Sequence, residues 1–335
     1  MHEDRIEQVS RHLEAELPGW RVDCCLTFGS SARDEAVDGS DVDLWFIGHS
    51  ANQIFLDKVW RQGRWATGLD EFLAAHRDCQ VVDIDTWGEL QKKLGVTMPL
   101  VFGSPLADTR WLLWQLAEEQ DWQSFVFVAT GKALVDPDGF LSALHGFLWS
   151  KLPFHVHPEH GIVATMKILC EREKLALLRD LALLSGENIV GPTAAHTVWL
   201  WPAMECIRDT VELLTLIQQG KPLYRREEVL SFVGKEFSQH LPVAERVYRY
   251  KATNEGRNEL REILASDPEV RQRELRPLTE GVISFWHTAM SEVDRCILQG
   301  CSKVQFATED WRSRNHGAYD QFFARYLEKI PSVVR

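Results

Sequence analysis

Gly29-Ser30-Ser31-Ala32-Arg33, followed after a short acidic loop by Ser40-Asp41-Val42-Asp43-Leu44-Trp45-Phe46-Ile47, is the stretch whose reading decides the fold. The apolar run Val22-Asp23-Cys24-Cys25-Leu26-Thr27-Phe28 leads into it and reads as a strand. Gly29 then allows a tight backbone turn. Ser31 to Glu35 reads as the start of a short helix whose amides would face phosphate oxygens. A second strand begins at Asp41. Side chains alternate along a strand, so Asp41 and Asp43 point to the same face. Two adjacent carboxylates repel unless a cation sits between them, and Mg²⁺ favours carboxylate oxygens combined with substrate phosphates.

Outward from that pair, Ile6, Val9, Leu13 and Leu17 fall at helical spacing from Arg5 to Leu17, and Pro18-Gly19 ends the helix. A helical stretch is expected from about Gln53 to His76, interrupted near Gly63. Cys79-Gln80-Val81-Val82-Asp83-Ile84-Asp85 reads as a third strand with two more same-face acids. Trp111 to Ala117 reads as a helix, Phe125 to Val128 as a strand. Ala133-Leu134-Val135 runs into the turn Asp136-Pro137-Asp138-Gly139, where Pro sets φ and Gly relieves it. From about Phe140 the texture is helical. A leucine-rich helix spans Ile168 to Leu184 and ends at Gly186, and Trp199 to Gln219 ends at Gly220. Further helices are expected at Arg225–Phe237, Val243–Ala265, Leu278–Gln299 and Asp310–Lys329. The expected fold class is therefore α+β, a small mixed sheet in 1–145 followed by an all-α domain in 146–335.

Gly-Ser, ten residues, then Asp-x-Asp, between two apolar strands, resembles the nucleotidyltransferase superfamily. That superfamily includes the aminoglycoside nucleotidyltransferases, the minimal nucleotidyltransferases of toxin–antitoxin pairs and the DNA polymerase β-like enzymes. The resemblance covers about residues 20–145 and implies a polymerase β-like domain that transfers a nucleoside monophosphate from a triphosphate, probed most simply with ATP, and releases pyrophosphate. It implies two Mg²⁺ ions held by Asp41, Asp43 and a third carboxylate on the strand after the motif. Asp83, between Val82 and Ile84, fits that third place best; Asp85, one step further on the same face, is the alternative. Gly29, Ser30 and Arg33 would then bind the triphosphate, and Asp136-Pro137-Asp138-Gly139 resembles the family's apolar-Asp-x-x-Gly element. The aminoglycoside-type enzymes place their acceptor between the catalytic domain and a helical one, which makes 146–335 the expected substrate-binding part.

Composition narrows the partners. A formal charge of −12 argues against a broad nucleic-acid-binding face and suits a cationic, hydroxylated small acceptor. Transfer to a protein or tRNA, as in the toxin–antitoxin enzymes, is the alternative, and a homodimer is compatible with the sequence. No run of about 18 apolar residues exists, so no membrane partner is expected. The start, Met1-His2-Glu3-Asp4-Arg5, lacks a signal peptide's apolar core. Seven cysteines without a Cys-x-x-Cys pair read as reduced thiols, and the expected location is cytoplasmic.

Several residues carry two readings. Trp45 shares the face of Asp41 and Asp43, where it would stack on a base or pack under a helix. Arg33 would contact the triphosphate or pair with Asp34 or Glu35. Arg312-Ser313-Arg314-Asn315-His316 resembles the Arg…His element of HEPN-type ribonucleases, with a shorter spacing, and otherwise reads as a basic surface segment. His155, His157 and His160 form a loop cluster without a supporting acid or cysteine pattern. Glu71, Glu89, Glu171 and Glu173 are all conceivable general bases, and none is singled out.

Overall fold

A computed structural model of the chain describes residues 3–17, 19–35, 43–57, 66, 68–84, 106–151, 161–184, 199–299, 321–322 and 324–325. These residues form an α+β protein that is mostly helical, with a small mixed sheet. Chain contacts group Met1–Ile162 with Phe306–Arg335 as one unit and Val163–Gln305 as another. The sequence placed a single division near residue 145.

In the first unit, α1 (Glu3–Glu16) turns Ile6, Val9 and Leu13 inward at the spacing of one helical face. β1 (Arg21–Phe28) is buried over most of its length and lies inside the sheet. On one side it pairs antiparallel with β2 (Asp43–His49), setting Phe28 opposite Asp43 and Thr27 opposite Leu44. On the other it pairs antiparallel with β6 (Lys132–Val135), setting Lys132 opposite Thr27. β5 (Leu106–Asp108) completes the order β5-β2-β1-β6 by pairing parallel with β2. One sheet face joins α1 in an apolar core through Val22, Cys25, Leu44, Phe46 and Leu106. Burying each such side chain contributes roughly 1.5–3 kcal/mol.

Short helices connect these strands: α2 (Gly29–Ala32), α3 (Leu69–Ala75), α4 (Thr109–Ala117), α5 (Trp122–Thr130) and α6 (Phe140–Lys151). Two expectations fail here. Phe125 to Val128 is helical within α5, not a strand. Asp121 caps that helix by accepting from the Ser124 amide at 2.8 Å, and a four-residue apolar run carries too few positions to separate the two periodicities. Gln53–Asp57 is a strand, β3, not the start of a helix; it pairs parallel with β4 (Gln80–Ile84) in a separate two-stranded sheet. Ile54, Phe55 and Leu56 are all buried, so the apolar residues are consecutive, as in a strand covered on both faces.

In the second unit, with α7 (Gly161–Leu183) running into it, the regular elements among the described residues are all helices. α8 (Leu200–Gln219) ends at Gly220 in a left-handed cap. α9 (Arg226–Glu236), α10 (Leu241–Ala252), α11 (Asn254–Ala265) and α12 (Pro268–Leu298) follow. The single helix expected over Val243–Ala265 is broken at Thr253, which turns extended and accepts from the Gly256 amide at 2.9 Å to start α11. Trp199, at the head of α8, donates its indole N–H to Thr279 of α12 at 2.8 Å. The expected helix at Asp310–Lys329 lies almost wholly outside the described residues.

Candidate active site

At the end of β1 the backbone enters Gly29 with φ +67°, the left-handed region that glycine occupies without steric cost. Antiparallel pairing brings Asp43 beside this turn, across from Phe28. A Cβ built on Gly29 would lie 2.3 Å from Asp43 Oδ2. The left-handed backbone therefore favours glycine, and any Cβ here would force the Asp43 carboxylate to shift. The two halves of the sequence motif meet in space at this contact. Ser30 follows on α2, half-buried, and its carbonyl accepts from the Glu35 amide at 2.9 Å, closing the turn. Ser40, Asp41 and Val42 lie outside the described residues, so the placing of Asp41 on Asp43's face remains an expectation.

Two cations border the turn. Arg33 Nε lies 3.1 Å from Glu35 Oε2, the expected pairing of that arginine with a neighbouring acid, although both side chains are half-buried and not at the surface. Lys132 Nζ lies 2.6 Å from Asp34 Oδ1. In the sequence, Lys132 is overshadowed by the apolar Ala133-Leu134-Val135 that follows it. The available signal was Gly131-Lys132, a helix stop and a cation at the head of a strand that pairs with β1.

The third carboxylate is less simply placed. Asp83 sits on β4 opposite Leu56, exposed to solvent, and Asp85 lies outside the described residues. β4 pairs with β3, whereas the strand that pairs with β2 beside β1 is β5. The carboxylate of β5, Asp108, lies opposite Gly48, five residues along β2 from Asp43, or roughly 16 Å at about 3.3 Å per residue. It is fully buried, accepting from the amides of Arg110 at 2.9 Å and Phe55 at 3.3 Å, so it serves as the cap of α4. Among the described residues, no three His, Cys, Asp or Glu side chains gather as a metal would need. Asp43, a carboxylate oxygen donor against the glycine turn, has the chemistry that suits Mg²⁺.

No protein-family model matches this chain, and no curated protein matches it.

The far end of the same hairpin is built differently. Register shifts between Val22 and Cys24, leaving Asp23 in a bulge. Its fully buried carboxylate accepts from Thr109 Oγ1 at 2.6 Å and lies 2.7 Å from His49 Nδ1. Asp136 accepts from the amides of Phe140 at 2.6 Å and Leu141 at 3.2 Å, and Asp138 pairs with Arg21, so the Asp-x-x-Gly turn anchors α6 to the sheet. Burial pushes the Asp136 carboxyl above its usual range. Trp45 is buried, its ring 5.4 Å from Phe127 and 5.5 Å from Phe28, which is the packing role. Of the conceivable bases, Glu71 is exposed in the first turn of α3, Glu171 pairs with Lys174 at 2.7 Å, and Glu173 is buried beside Arg172. Glu89, the cluster of His155, His157 and His160, and Arg312 to His316 lie outside the described residues.

Proposed function

We propose that this chain is a Mg²⁺-dependent nucleotidyltransferase that moves a nucleoside monophosphate from a nucleoside triphosphate to a hydroxyl of a small, cationic acceptor. The observation that carries this reading is the contact between Gly29 and the Asp43 carboxylate, which makes one local site of a motif split by an acidic loop. In this reading Asp43, with Asp41, holds the metal, and Ser30 offers its hydroxyl to the triphosphate. Arg33 and Lys132 supply positive charge at the same turn. Bound Mg²⁺ would lower the pKa of the acceptor hydroxyl and stabilise the pyrophosphate leaving group. The chain's own residues position and neutralise; a polymerase β-like domain is the fold this chemistry implies, and a net charge of −12 favours a cationic acceptor.

The test is a panel of hydroxylated acceptors with labelled ATP, GTP, CTP and UTP, followed by pyrophosphate release. Metal-dependent transfer to a small acceptor is expected. Label appearing only on protein or tRNA would move the chain to the toxin–antitoxin class; no transfer to any acceptor in Mg²⁺ would count against the reading.

A further inference from the structure

We infer that Asp34 acts as a built-in stand-in for the triphosphate, neutralising Lys132 until nucleotide phosphate displaces it. The inference rests on the nucleotidyltransferase reading and concerns how that same site is regulated. Each cation at the Gly29–Glu35 turn is matched by a carboxylate of that turn: Lys132 by Asp34 at 2.6 Å and Arg33 by Glu35 at 3.1 Å. The pairs differ in accessibility. The side chains of Lys132 and Asp34 are 47% and 67% exposed, those of Arg33 and Glu35 only 12% and 18%.

An ion pair as exposed as Lys132–Asp34 adds little to stability, because water screens it and two side chains must be held still. Asp34 holds φ at +62°, a left-handed conformation that Asp and Asn adopt more readily than other non-glycine residues. Here it directs a carboxylate at a lysine on the neighbouring strand β6, four residues after Ser30. A carboxylate oxygen and a phosphate oxygen are alike to an ammonium group: both are anionic acceptors at about 2.7–2.9 Å. A polyphosphate brings more charge than one carboxylate and takes the lysine from it, whereas a single weak anion does not. The Lys132–Asp34 pair thereby sets a threshold favouring polyphosphate chains over lone anions at this turn.

The experiment uses the full chain and inorganic tripolyphosphate as probe, by isothermal titration at low salt without metal. Asp34→Asn removes the competing charge and keeps a residue that tolerates the left-handed conformation. It is expected to tighten tripolyphosphate binding about twofold to fivefold. Lys132→Met is expected to weaken binding, and in its background Asp34→Asn should give no gain. Asp34→Asn without effect on affinity, or an equal gain in the Lys132→Met background, overturns the inference, as does no binding to either the wild type or Asp34→Asn. Pyrophosphate release is measured separately. A gain in binding without any transfer would leave the stand-in role intact and defeat the enzyme assignment; transfer with no Asp34 effect would do the reverse.

Discussion

The two ends of the β1–β2 hairpin hold similar side chains put to opposite uses. At the Asp23 end, acids are sealed from water and consumed by neighbours: Asp23 by Thr109 and His49, Asp108 by two amides and Arg110. At the Gly29 end, one pair, Lys132–Asp34, stands at the surface where water and ions can reach it, and a second, Arg33–Glu35, is half-buried, beside the half-buried carboxylate of Asp43. A polar group satisfied inside the fold has little left to offer a ligand, because breaking its bonds costs the desolvation it avoided. Exposure and backbone geometry, not acid content, therefore separate the two ends.

If the Asp23 end is structural, Asp23→Ala should leave the Thr109 hydroxyl and the His49 ring without their shared acceptor and lower stability by roughly 3 kcal/mol, read from urea unfolding. A loss near zero would erase the contrast between the ends. At the other end, Gly29→Ala sets a methyl against Asp43 in a left-handed backbone. It should cost about 1–3 kcal/mol and disturb Mg²⁺-dependent nucleotide binding as well, which Asp23 variants retaining their fold should not.

A smaller effect sharpens the same distinction in the helical unit. α8 buries Glu205, Asp209 and Glu212 around Arg208, with Asp209 3.4 Å and Glu212 3.2 Å from the guanidinium. Burial, reinforced by Glu205, holds the Asp209 carboxyl well above its usual range. The folded state thus keeps this proton where the unfolded chain has released it. That contribution to stability is complete below the unfolded value, near pH 4, and is lost as pH rises toward the raised folded value. Asp209→Asn should accordingly melt a few degrees higher than wild type at pH 8 and almost together with it near pH 4. The opposite ordering would mean that the acid is held charged by Arg208.

What the sequence showed follows from range. The Gly29–Asp43 relation needs only a strand, a turn and an antiparallel return, so a fifteen-residue window contained it. The inward face of α1 was likewise legible as local periodicity. Lys132 reaches Asp34 across 98 positions through strand pairing, which no local pattern encodes. The Asp23 bulge shifts register by one residue to suit Thr109, 86 positions away. Gln53–Asp57 and Phe125–Val128 were misread for a related reason: short buried apolar runs take their conformation from their neighbours.

The most direct test compares pyrophosphate release by wild type and Asp43→Asn, with Mg²⁺, triphosphate and the best acceptor, while both melt at the same temperature. The account predicts a loss of about a hundredfold or more, several kcal/mol of transition-state stabilisation. Full activity in Asp43→Asn would contradict it.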